Sequence, residues 1–115
     1  MDKDCIFCKI VSREIKSKIV YENDSVLAFK DIDPKAPVHI LVIPKKHIQM
    51  ISDLNRQNKN IISELVVVAN EIARQSNIAE SGYRIILNCG PDAGQAVFHI
   101  HLHLLGGRKM SWPPG

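Results

Sequence analysis

The chain has 115 residues, 45% apolar and 23% charged, with 15 Lys and Arg against 12 Asp and Glu for a net charge of +3. That length fits one domain with a core of its own, and the small positive charge favours anionic ligands without the basic stripe that nucleic acid requires. No apolar run approaches the ~20 residues of a membrane span, and "MDKDCIFCKI" lacks the apolar stretch of a signal peptide, so the expected location is the cytoplasm.

In chain order, a short helix is expected over "CIFCKIVS", whose two cysteines belong to an odd total of three. An odd count does not suit a disulfide framework, which leaves "CIFC" as metal-binding, redox-active or incidental. "IVYE" (Ile19 to Glu22) and "SVLAFK" (Ser25 to Lys30) read as antiparallel strands joined through "ENDS". A third strand, "HILVIP", covers His39 to Pro44. One long helix is predicted from an N-cap at Ser52 or Asp53 to about Ser76, because Ile61, Leu65, Val68 and Ile72 fall on one stripe. "YRIILN" (Tyr83 to Asn88) and "FHIHLHL" (Phe98 to Leu104) complete five strands. The expected architecture is α+β, one antiparallel sheet with helices packed on a face.

The last strand carries three of the five histidines. Strand side chains alternate, so His99, His101 and His103 would share one face while Ile100, Leu102 and Leu104 pack beneath the helix. At ~3.3 Å per residue the outer two rings start ~13 Å apart, too far for all three to hold one metal. The loop "NCGPDAGQAVFH" leads into this row, and its glycines let backbone N–H groups approach an anion. A neutral imidazole beside such a seat can attack phosphorus while a neighbour steadies the reacting group, a scheme that calls on no metal at the reacting centre.

"HIHLHLL" resembles the signature of the histidine-triad superfamily. "IFCKI", "YENDSVLAFKDIDPKAPVHILVIPKKHI", "GYRIILN" and "LLGGRKMSWPPG" extend the resemblance over nearly the whole chain, to the branch of histidine-triad nucleotide-binding proteins that are purine nucleoside phosphoramidases. The resemblance implies a single domain over 1–115, a homodimer, and a purine nucleotide substrate derived from AMP or GMP. It makes His101 the nucleophile, His103 the residue that holds a phosphate oxygen and helps manage the leaving group's proton, and His39 their support from the neighbouring strand. Asp31 would bind the ribose, with Ile6, Phe7, Phe29 and Ile32 as walls for the base. Asn88, Gly94, Gln95 and Val97 fall on phosphate-seat positions, and Ala96 stands where eukaryotic relatives commonly have Ser. Trp112, in the tail, would help close the partner's pocket.

The cysteine pair resembles a zinc pair of other histidine-triad proteins, whose ligands would here be Cys5, Cys8, His47 and His99. Four such ligands with no open position make a structural site. Cys89 is left as a small buried residue. Two further readings stay open: hydrolysis or transfer on dinucleoside polyphosphates by the same histidine, and a sensor or scaffold that binds nucleotide without turnover.

Overall fold

The computed structural model describes residues 2–115. Its elements are helix α1 (Ile6–Val11), strands β1 (Ile19–Glu22), β2 (Val26–Lys30) and β3 (Val38–Pro44), helix α2 (Asn60–Gln75), and strands β4 (Tyr83–Ile86) and β5 (Leu102–Gly106). All strand pairs are antiparallel, in the order β1-β2-β3-β5-β4. No helix among the described residues is long and apolar enough to cross a membrane.

Alternation along the strands splits the core into two layers. Val26, Ala28, Ile40, Val42, Leu102 and Leu104 face α2, whose Leu65, Val68, Ala69, Ile72 and Ala73 bury the predicted stripe. Leu27, Phe29, Leu41 and Ile43 face the other way, under Phe7, Cys8 and Ile10 of α1. The two helices therefore cover opposite faces of the sheet, not one face. The register sets Leu41 opposite His103 and His39 opposite Leu105, so both histidines stand on the α1 side.

Strand ends shift from the sequence reading by one or two residues, β4 stopping at Ile86 and not Asn88, and two element starts shift further. The long helix starts at Asn60, not near Asp53. Asn55 Oδ1 accepts from the N–H groups of Gln57 and Asn58, and Asn58 Oδ1 accepts from Asn55 N. These local bonds hold the chain in a turn and satisfy backbone donors that a helix would otherwise use. The last strand starts at Leu102, not Phe98, so His99 and His101 precede the ladder. Continuing the register from the Val42 and Leu102 pair would set Ile100 against Pro44, which has no N–H to give. Ile100 N instead donates to Ile48 O at 2.8 Å.

The hairpin between β1 and β2 follows the expected turn chemistry, with Asn23 Oδ1 accepting from the N–H groups of Ser25 and Val26. At the far end of β5, Gly107 adopts φ +89°, and a Cβ there would lie 2.9 Å from Pro37 Cβ. Glycine is needed at this crossing because the loop that leads to His39 passes directly over it.

Candidate functional site

Three groups of imidazoles and their partners lie on the α1 side of the sheet. Deepest is His99, fully buried. Its Nε2–H donates to Pro44 O at 2.7 Å, which leaves Nδ1 as a bare lone pair. That atom lies 3.4 Å from Cys5 Sγ, 3.7 Å from Cys8 Sγ and 3.2 Å from His47 Nδ1, while Cys8 Sγ lies 3.4 Å from His47 Nδ1. Helix α1 supplies the thiols because Cys5 is its N-cap, accepting from Cys8 N. Asp2 Oδ2 stands 3.6 Å from the outer nitrogen of His47. Burial pulls the His99 pKa down to about 4, so the ring is neutral at neutral pH; burial also pushes the Cys8 thiol up.

These distances test whether a metal fits. An ion held tetrahedrally at ~2.3 Å from sulfur and ~2.05 Å from nitrogen sets its ligands about 3.3 Å apart for two nitrogens and about 3.6 Å apart for sulfur and nitrogen. The observed separations of 3.2 to 3.7 Å are the edges of such a tetrahedron. Two soft sulfurs and two imidazoles suit zinc among common ions. The four positions also form a closed set, buried or half-buried throughout.

His101 follows on the same row. Its Nδ1–H donates to His99 O at 2.9 Å, so Nε2 carries the unshared pair. Phe7 meets the ring edge-on at 5.1 Å between centroids and also packs against Phe29 at 5.5 Å. His103 lies next, 5.0 Å from His101 between ring centroids. Burial, aided by His101 and His39, draws the His103 pKa down to about 4, and burial likewise lowers that of His39. His39 Nε2 stands 2.9 Å from His103 Nδ1 and 3.4 Å from Asp31 Oδ2. Asp31, His39 and His103 line a cleft of about 430 Å³, together with Arg84, Asn88 and Arg108, whereas His101 is buried beside it and does not line it.

The other expected residues are distributed less compactly. Phe7 and Phe29 are buried in the second core layer, Ile6 is half exposed, and Ile32 is almost wholly exposed at 98%. Ile6, Ala96 and Val97 border a second cleft of about 330 Å³ beside the cysteine pair. Gly94 takes φ +90° at the end of the turn Pro91–Ala93. Gln95 has its side-chain groups engaged: Nε2 donates to Gln49 O and Val97 O, and Oε1 accepts from Gly90 N. It braces the loop in this state. Trp112 is 81% exposed, in a tail that Arg84 holds by donating to Ser111 O. Cys89 is half-buried rather than buried.

Sequence reading could not name the groups that fix the imidazoles, because they are backbone atoms: Pro44 O for His99, His99 O for His101, and Lys35 N for His39. Only the pairing of Asp2 with His47 had a visible signal, an acid three residues before the first cysteine.

A five-stranded antiparallel sheet with one long and one short helix, carrying an ordered row of three imidazoles, defines the histidine-triad class of α+β proteins. The chain belongs to the HIT domain family, which matches residues 12–110. It is 48% identical over 116 residues to Adenylylsulfatase HINT1 of Arabidopsis thaliana, covering 99% of this chain and 78% of that protein. To the 14 kDa zinc-binding protein of Zea mays it is 47% identical over 116 residues, with 99% and 90% covered. The crystal structure of a HIT family hydrolase from Legionella pneumophila superposes with a TM-score of 0.95 at 47% identity, covering 97% of this chain and all of that one.

Proposed function

We propose that the protein, a single domain over residues 1–115, is a cytoplasmic, homodimeric purine nucleoside phosphoramidase that acts through His101. The observation that carries this reading is the bond from His101 Nδ1–H to His99 O. It leaves Nε2 unprotonated, the state a nucleophilic imidazole needs. In the proposed reaction Nε2 attacks the α-phosphorus of a nucleoside 5′-phosphoramidate and forms an N–P bond. The original P–N bond breaks, and the leaving nitrogen takes up a proton and departs as the amine. Water then attacks phosphorus, releasing the 5′-monophosphate and restoring His101 along with a proton.

His103 and the N–H groups near Asn88, Gly94 and Val97 would steady the phosphoryl oxygens, and Asp31 the ribose. Phe7, Phe29, Ile6 and Ile32 would receive the base, and the partner's Trp112 would close over it. Ala96 offers no hydroxyl to the leaving group, which bears on rate and leaving-group preference more than on reaction class. The tetrahedral fit of Cys5, Cys8, His47 and His99 supports a structural zinc; when bound, the ion would pin α1 to the segments carrying His47 and His99.

A second reading keeps His101 and changes the leaving group. The Arabidopsis relative is named an adenylylsulfatase, which favours sulfate in place of an amine. Paired assays separate the two: amine release from adenosine 5′-phosphoramidate and sulfate release from adenosine 5′-phosphosulfate, each with His101→Ala as control. Faster amine release supports the phosphoramidase, faster sulfate release supports the second reading, and turnover that survives the substitution ends both.

A further inference from the structure

The tetrahedral fit of the cysteine cluster sets a condition on each of its imidazoles. The nitrogen that turns inward must carry a lone pair, so the single proton of the neutral ring must sit on the other nitrogen. For His99 the chain meets this condition with a carbonyl, Pro44 O, which accepts from Nε2–H. His47 likewise turns Nδ1 inward, toward Cys8 Sγ and His99 Nδ1. Its outer nitrogen faces a side chain instead, the carboxylate of Asp2, with Oδ2 at 3.6 Å.

Asp2 is held in place from within its own segment. Asp4 N donates to Asp2 Oδ1 at 2.8 Å and Cys5 N to Asp2 O at 3.3 Å, a turn that leaves Oδ2 to face the ring. The main chain of the same residue serves a second ligand. Burial disfavours the Cys8 thiolate, and the peptide N–H of Asp2 opposes this by hydrogen-bonding the sulfur. One residue outside the ligand set thus addresses two of its four members.

We propose that Asp2 is a positioning residue of the metal site, its carboxylate holding His47 with the proton on Nε2 and the lone pair of Nδ1 aimed at the ion. The inference rests on the zinc reading and adds to it a residue that touches no ion. A carboxylate suits this place better than a carbonyl because His47 is partly open: its side chain is 19% exposed and, with Asp2, borders the cleft of about 330 Å³. Water competes there for the ring N–H, and an ionised acceptor holds such a bond more firmly than a neutral one. Drawing on that N–H also makes Nδ1 a better donor to the ion.

The test measures the zinc affinity of the full-length protein by competition with a chromophoric chelator. Asp2→Leu removes the acceptor at similar size, Asp2→Asn keeps an acceptor oxygen without the charge, and Asp4→Asn removes the neighbouring charge alone. Asp2→Leu should weaken binding roughly ten- to a hundredfold, the scale of losing such a partner, Asp2→Asn by less, and Asp4→Asn should stay near wild type. Asp2 lies outside every helix and strand, so these variants leave the core intact. Nitrogen-15 spectra of the zinc-loaded protein should show His47 bound through Nδ1 and protonated on Nε2. His47 bound through Nε2, or an Asp4→Asn loss equal to that of Asp2→Leu, overturns the proposal. A wild type that binds no zinc ends the zinc reading along with it, whereas tight binding that Asp2→Leu does not weaken ends the proposal alone.

Discussion

Stripping the metal from the cysteine cluster is predicted to loosen the whole α1 side of the molecule. An ion held by Cys5, Cys8, His47 and His99 would tie the start of α1 to the chain just after β3 and just before β5, segments far apart in sequence. A 115-residue domain is stable by about 6 to 17 kcal/mol at the usual per-residue value. An ion present at ~1,000 times its dissociation constant contributes about 4 kcal/mol of that, by preferring the folded chain. Each kcal/mol moves the Tm of a domain this size by roughly 4 °C, so removal should lower it by about 15 °C. Phe7 shares α1 with Cys8 and abuts His101, so turnover should weaken without vanishing. Metal analysis of protein purified without chelator, followed by calorimetry before and after chelation, reads both quantities. Cys5→Ser should reproduce the metal-free Tm and show no response to chelator. Protein that carries no zinc, or a Tm that complete removal leaves unchanged, refutes the reasoning.

Acid should destabilise the fold through His103. An unfolded histidine titrates near ~6.5, whereas burial holds this one at about 4. Below the first value the unfolded chain binds a proton that the folded chain refuses. The contribution is therefore complete above that pH and is lost as pH falls toward the folded value, with a slope of at most ~1.4 kcal/mol per unit. Urea unfolding across this window should show a shallower pH dependence for His103→Gln; identical slopes would contradict the assignment. Gly107→Ala should cost about 1 to 3 kcal/mol in strain at its positive φ, plus the clash with Pro37. Gly82→Ala, at φ +107° with nothing within 4 Å, carries the strain alone. Equal losses of Tm in the two variants would show that the Pro37 contact contributes nothing.

Much of this was legible because the decisive patterns are local. Alternation over Ile100, Leu102 and Leu104 separates apolar from imidazole faces, and the stripe Leu65, Val68 and Ile72 marks a helix with one buried side. The boundaries were harder, since they depend on long-range partners. Pro44 ends the ladder only because the register brings it opposite Ile100, and Asn55 delays the helix through bonds that propensity does not encode. The residue types of the cysteine cluster were visible, but its convergence depends on tertiary placement. The orientation of the imidazoles was least accessible, because backbone carbonyls hold His99 and His101 and a peptide N–H meets His39. Gln95 illustrates the same limit: an amide beside an anion seat suggests a ligand, yet its partners here are Gln49 O, Val97 O and Gly90 N.

The central claim is that His101 forms a covalent bond to phosphorus, and trapping that bond tests it most directly. Quenching the protein in alkaline denaturant, which preserves a histidine–phosphorus bond, during turnover of adenosine 5′-phosphoramidate, then digesting with trypsin, should yield a nucleotidylated peptide spanning Ile85 to Arg108. Fragmentation should place the added nucleotide on His101, and His101→Ala should yield neither adduct nor turnover. An adduct on His99 or His103, or undiminished turnover by the variant, would contradict the account.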